Sequence, residues 1–311
     1  MTCRPPAPWT PTLWLGALLA LTSPALPGDE TSPAQAREVG ALQDPRIDES
    51  SGLAPSRWQA GALWTHNDSG DSPRLFLLDA GGRTRAVVTV DGAEARDWED
   101  MAAFQRGGER WLVVADVGDN ASARDHVTLY LLPEPAPPPA DAAPQAISVR
   151  AARRITLRYA DGAHDCETIA VDPHDPQGPA AWLITKERLP GVRPRAYRVP
   201  LFGDGDEALR VVHAAELSVP GLTTAGDMSP DGRRLVVLTY RDAFLFERAP
   251  DEAWPAALAR EPRRLPMPAR KQGEAICFDP EARAVWLTSE GAGTPVWEVP
   301  LPPPARTKRW F

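Results

Sequence analysis

Apolar residues along this chain come in short runs, each opened by an acid and closed by a turn, and the arrangement recurs. Its clearest instance is Asp97 to Phe104, where Asp-Trp-Glu-Asp leads into Met-Ala-Ala-Phe. Equivalent openings are Glu49-Ser-Ser-Gly-Leu-Ala-Pro, Glu167-Thr-Ile-Ala-Val-Asp-Pro, Asp227-Met-Ser-Pro-Asp-Gly and Glu274-Ala-Ile-Cys-Phe-Asp-Pro. A second apolar run ending in polar residues follows each, as in Leu63-Trp-Thr-His-Asn-Asp and Trp182-Leu-Ile-Thr-Lys-Glu. From Glu49 through Glu99, Glu167 and Asp227 to Glu274 the spacings are 50, 68, 60 and 47 residues. A four-stranded propeller blade takes roughly 40 to 50 residues, so each interval holds one blade and its insertions. One such unit cannot cover both faces of its own sheet, which is why the repeat predicts radial stacking.

The expected fold is therefore all-β, a single propeller of five four-stranded blades, with six blades as the alternative. Blade one is expected from Ser51–Ala54, Leu63–His66, Leu75–Leu78 and Ala86–Val90. Blade two takes Glu99–Phe104, Trp111–Ala115, Val127–Leu132 and Ile155–Tyr159, with Pro133–Pro144 as an exposed, proline-rich loop. Blade three takes Thr168–Val171, Trp182–Thr185, Ala196–Val199 and Val211–Leu217. Blade four takes Asp227–Ser229, Leu235–Thr239, Phe244–Glu247 and Arg264–Met267. The last blade has three strands of its own, and the alternating segment Arg37–Leu42 is expected to supply the fourth, closing the ring without a free edge.

Composition sharpens this picture in three places. With 23 Gly and 35 Pro the chain suits short strands and turns and leaves no room for long helices. A net charge of −8 argues against nucleic acid as a partner. The start, Arg4 followed by the apolar run Leu13–Leu21 and then small residues, reads as an export signal too short to span a bilayer. The expected layout is signal 1–27, linker 28–36, propeller 37–300 and tail 301–311, in a secreted or periplasmic monomer with no membrane span after cleavage. Export permits disulfides, yet Cys166 and Cys277 fall in non-adjacent blades and are expected as buried thiols.

Strand one of a propeller blade lines the axial channel and strand two returns beside it, so one mouth should collect both sets of polar ends. The ring acids are expected to be Glu49, Glu99, Glu167, Asp227 and Glu274. Beside them fall His66, Asn67, Asp68, Asp116, Lys186, Tyr240, Arg241 and Glu290. So many like charges need a counter-charge, either a hard cation such as calcium or Lys186 and Arg241 reaching inward. The loops Asp68-Ser-Gly-Asp71 and Asp116-Val-Gly-Asp119-Asn120 have calcium-chelating residue types, which also make ordinary turns. The acids have a second reading too, as acceptors of backbone hydrogen bonds that hold the channel in register. His66 is the one imidazole expected at the mouth and, with Glu99 and Asp100, the candidate for acid–base work; the alternative is a hydrogen-bonding role like that of Thr185, Thr239 and Thr288. Trp64, Trp111, Trp182 and Trp286 read as packing between blades, whereas Trp98, beside Glu99, is expected to line the mouth.

Ser229-Pro-Asp-Gly-Arg-Arg-Leu-Val-Val-Leu-Thr resembles the Ser-Pro-Asp-Gly repeat of WD-like propellers. Residues 48–300, with Glu-Ser-Ser-Gly-Leu-Ala, His-Asn-Asp-Ser-Gly and Asp-Trp-Glu-Asp, look like exported bacterial propellers of unassigned function. A more distant likeness to phytase-like and apyrase propellers rests on one acid per inner strand. Two functions stay open: binding of a small molecule, glycan or envelope protein at an acidic, calcium-loaded mouth, or metal-assisted hydrolysis of phosphoesters or glycosides.

Overall fold

A computed structural model describes residues 35–203 and 208–303. The expected signal, most of the linker and most of the tail lie outside the described residues. The chain opens with β1 (Arg37–Ala41) and then builds blade one from β2 (Ser50–Pro55), β3 (Leu63–Asn67), β4 (Arg74–Leu78) and β5 (Thr84–Asp91). Blade two follows with β6 (Trp98–Arg106), β7 (Glu109–Asp116) and β8 (Val127–Pro133). The chain then steps back to lay β9 (Gln145–Arg150) parallel to β5 as a fifth strand of blade one, before β10 (Arg153–Tyr159) completes blade two. Blade three holds β11 (Cys166–Asp172), β12 (Ala180–Thr185) and β13 (Arg195–Pro200); β14 (Leu209–Val211) crosses to blade two and β15 (His213–Glu216) returns. Blade four is β16 (Thr223–Met228), β17 (Arg234–Thr239), β18 (Asp242–Glu247) and, after the one-turn helix α1 (Trp254–Leu258), β19 (Arg263–Pro266). Blade five is β20 (Gly273–Phe278), β21 (Ala284–Ser289) and β22 (Pro295–Pro300), with β1 as its outer strand.

Five blades and closure by the first strand are thus as the repeat predicts. Two details differ. The expected outer strand Val211–Leu217 splits between two blades, because Val211 pairs with Tyr159 while His213 pairs with Tyr197. The proline-rich insertion is docked rather than free: Glu134 is buried under blade one, accepting from Ser56 Oγ at 2.7 Å and Trp64 Nε1 at 2.9 Å. No helix among the described residues is long and apolar enough to cross a membrane.

The inner strands β2, β6, β11, β16 and β20 each flank the next, and β20 returns to β2. Apolar side chains fill the wedges between blades. Trp64 and Trp182 lie in these layers, while Trp111 and Trp286 pack partly buried against them, as the packing reading requires. Cys166 and Cys277 are both fully buried free thiols in different layers.

Every inner strand carries a β-bulge near its start, and the bulge fixes which residues are equivalent. The unpaired residues are Ser51, Glu99, Glu167, Thr224 and Glu274. A bulged residue is turned out of the ladder and aimed anew. The expected acidic quintet is corrected accordingly. Glu49 stands two positions before the bulge and is exposed, and Asp227 stands three positions past it, fully buried within the channel. Three glutamates and two hydroxyls form the ring.

Candidate functional site

Glu99, Glu167 and Glu274 occupy one register position, yet each meets different neighbours. Ser51 and Thr224, at the same position, donate to the next blade instead, Ser51 Oγ to Glu99 O and Thr224 Oγ1 to Gly273 O, both at 2.6 Å. A short polar side chain here closes a seam; a long one reaches the mouth.

Beside Glu99 stand Asp68, at the end of β3, and Asp97, just before β6. One oxygen of each of the three carboxylates lies within 4.8 Å of the others. Burial pushes Asp68 up to about 6, with the Asp97 and Glu49 charges adding to it. Burial likewise raises Asp97, and raises Glu99 well above the carboxylate range, with the Glu167 charge next in size. Glu99 is 3% exposed, and among the described residues its carboxylate accepts no hydrogen bond from a protein donor. The backbone makes room for this trio at Gly118, where a Cβ would overlap Glu99 Oε1 and sit 2.6 Å from the Asp97 carboxylate. Three clustered carboxylates and a bare backbone cradle are a hard-oxygen donor set, fit for calcium or another divalent cation.

Glu167, by contrast, has its cation. Lys186 Nζ is ion-paired with it and donates to Tyr240 Oη at 2.8 Å, while its charge lies 4.8 Å from the Tyr240 ring centre. Burial still pushes Glu167 up to about 7 against the pull of the ammonium. Arg188 pairs with Asp165 and reaches Glu167 at 3.6 Å and Asn120 Oδ1 at 2.6 Å. Among the described residues Glu274 forms no ion pair; burial, and then the Glu167 charge, take it to about 8, so it is mainly a neutral acid at pH 7.

The predicted chelating loops separate on inspection. Asp68 joins the trio, but Asp71 is engaged by Arg74 and by Asn67 Nδ2 at 2.9 Å. Asp116 pairs with Arg124 at 2.8 Å, Asp119 accepts from Arg124 N at 2.7 Å, and Asn120 is held by Arg188. In these loops arginines supply the counter-charge expected of a metal, and they leave Asp116, Asp119, Asn120 and Asp71 as turn and brace residues. Asn67 likewise braces a loop, donating to Arg46 O at 2.7 Å. Arg241 is exposed and makes no reach inward, whereas Tyr240 and Glu290 stay at the mouth, half-buried.

His66 is corrected most sharply. Paired with Gly52, it is equivalent in the other blades to Ala115, Ile184, Leu238 and Thr288, not Thr185 or Thr239, and its ring is fully buried, edge-on to Trp98 at 5.5 Å. Nδ1 meets Asn67 O at 2.8 Å, and burial takes its pKa down to about 4, leaving a neutral ring sealed from any substrate at the mouth. Gly52 is what admits it, since a Cβ there would collide with His66 Nε2. Trp98 is 1% exposed and donates to Glu94 O at 2.8 Å, so it packs beneath the mouth rather than lining it.

Asp100 and Asp227 take the register-holding role. Asp100 accepts from its neighbour Met101 N, from Ile169 N in blade three and from Gly226 N in blade four, at 2.8, 2.9 and 3.0 Å. Asp227 accepts from Met228 N and from Phe278 N in blade five. Burial raises both carboxyls, Asp227 to about 6. Neither reaches the mouth, so Asp100 is not a catalytic acid there. Sequence reading missed Asp97 as a member of the trio, although it stands in the Asp-Trp-Glu-Asp motif two residues before Glu99, and missed Arg188, two residues after Lys186.

No protein-family profile matches this chain, and no curated protein resembles it in sequence. Among solved structures, a gluconolactonase from Xanthomonas campestris aligns with a TM-score of 0.44 at 14% identity, over 87% of this chain and 98% of its own.

Proposed function

We propose that this chain is an exported bacterial propeller of WD-like, Ser-Pro-Asp-Gly type, secreted or periplasmic, with a signal in residues 1–27 and the propeller over 37–300. Its acidic mouth binds a divalent cation, calcium by preference, on Asp68, Asp97 and Glu99. The observation that carries this reading is the buried Glu99 carboxylate, which among the described residues accepts from no protein donor and has an oxygen within 4.8 Å of two more carboxylates. The cation would offer open coordination positions to the oxygens of a small molecule, a glycan or an envelope protein. The chain's own residues then do the selecting: Lys186, Tyr240 and Arg188 present donors across the mouth, and neutral Glu274 presents a proton.

That last residue supports the second reading, metal-assisted hydrolysis of a phosphoester or glycoside. A carboxylic acid kept protonated near neutrality is the group a leaving oxygen needs. The deciding experiment is calorimetric titration of chelator-treated protein with calcium, run beside Glu99→Gln. Binding that disappears in the variant supports the site; no binding in the parent protein ends the proposal. Turnover of nitrophenyl phosphates or glycosides, lost in Glu274→Gln with calcium binding intact, separates hydrolase from binding protein.

A further inference from the structure

Asp100 and Asp227 hold the waist of the channel, and below them the opposite mouth opens into a cavity of ≈ 360 Å³ lined by the ends of the inner strands and the residues that follow them. In three blades the residue six past the bulge is proline: Pro173, Pro230 and Pro280. Each follows an Asp or Ser whose side chain caps the turn, as when Asp172 Oδ1 accepts from His174 N at 3.0 Å. Blade one keeps the cap, Ser56 Oγ accepting from Trp58 N at 3.2 Å, but puts Arg57 where the proline would be. In the cavity wall itself, where other blades place proline or Gln105, blade one therefore carries a guanidinium.

That guanidinium is held by the backbone, and its charge acts on Asp227 inside the channel, pulling that carboxyl down against the larger upward push of burial. Nε and Nη2 both donate to Ala103 O, at 3.1 and 2.6 Å, and among the described residues no carboxylate forms an ion pair with it. Glu134 takes the Arg57 backbone N–H and is otherwise committed to Ser56 and Trp64. Next to Arg57 stands Trp58, 48% exposed although it lines the same cavity. Its indole is fixed by a 3.0 Å bond from Nε1 to Glu134 O and by the Arg110 guanidinium, 4.0 Å from the ring centre. A pinned aromatic beside a pinned cation, both in the wall of one cavity, forms a two-point recognition surface.

We propose that this lower mouth is a second ligand site, independent of the acidic one, for a small organic anion whose ring lies on Trp58 and whose carboxylate or phosphate meets Arg57. A charge-assisted bond to a half-buried guanidinium supplies orientation, and the aromatic supplies the preference for a ring over a bare anion. The probes are benzoate and inorganic phosphate, titrated by ligand-observed NMR with chelator present so that no cation at the other mouth takes part. Expected are saturable binding of both, tighter for benzoate, weakened about tenfold by Arg57→Gln. Trp58→Ala should remove only the advantage of benzoate over phosphate. Equal affinity for the two anions in the parent protein, no saturation by either, or affinities unmoved by Arg57→Gln would overturn the proposal. If Arg57→Gln does not fold, benzoate affinity unchanged in Trp58→Ala, an exposed position, overturns it alone.

Discussion

Glu99 and Glu167 are the same residue type at the same bulge in neighbouring blades, and the protein treats them in opposite ways. Glu167 is given Lys186, with Arg188 in support; Glu99 is given two more carboxylates. One sector of the mouth thus has its counter-charge supplied by the protein and the other gathers carboxylates alone, and the proposed cation site rests on that contrast. Burial of an uncompensated charge is costly, and such sites persist only where a ligand or a proton relieves them.

The comparison is best broken at the waist, where carboxyls serve structure alone. Asp100→Ala leaves three backbone N–H groups without their acceptor, and is expected to cost about 3 to 5 kcal/mol in urea unfolding, more than any change at the mouth. If Asp100→Ala were tolerated, the division between structural and ligand-seeking acids would fail. Next in size is Lys186→Met, which strands Glu167. A loss of about 3 kcal/mol is expected near pH 8, shrinking toward pH 5 as Glu167 takes a proton in place of its cation.

The unpaired sector should respond in the reverse sense. Glu99→Gln is expected to raise the melting temperature of metal-free protein at alkaline pH, since it removes a buried carboxyl that would otherwise ionise beside two others, and to abolish the gain from calcium. That gain reaches about 2.7 kcal/mol in the parent at a hundredfold excess over Kd. The raised carboxyls also set a pH dependence. Glu167 and Glu274, at about 7 and about 8 when folded, start from an ordinary value of 4.5. The folded chain therefore holds protons that the unfolded chain has released, and their contribution to stability is complete below about pH 4.5 and lost as pH rises to 8. Thermal unfolding across that range checks the sign, and calcium should leave the Glu274 part unchanged. Smallest of all, Glu49→Gln should shift neither stability nor calcium affinity by more than about 0.5 kcal/mol, because its side chain stands outside the ring.

The blade count and the closing strand were legible because hydrophobic alternation at a fixed period survives any local irregularity. The ring was only partly legible, for the bulges add one residue to each inner strand and shift what counts as equivalent. Aligning acids by type put Glu49 and Asp227 in a circle that belongs to Ser51 and Thr224. The fate of His66 was written elsewhere, in Gly52 on the paired strand, and a lone glycine inside a strand pattern is the signal that a bulky side chain crosses there. The added strands β9 and β14 lie at the outer edges, where Gln145–Arg150 buries too little to stand out from a loop.

The seam of blade five pairs Arg37 with Glu298 across 261 residues, so the outermost strand of that sheet is synthesised first and its other three last. A nascent chain can finish four blades and still be an arc with two bare flanks, sticky at both until the final sheet arrives. Once the ring has locked, no blade can peel away from one side only, and slow unfolding rather than depth of the energy well becomes the protein's protection against proteolysis.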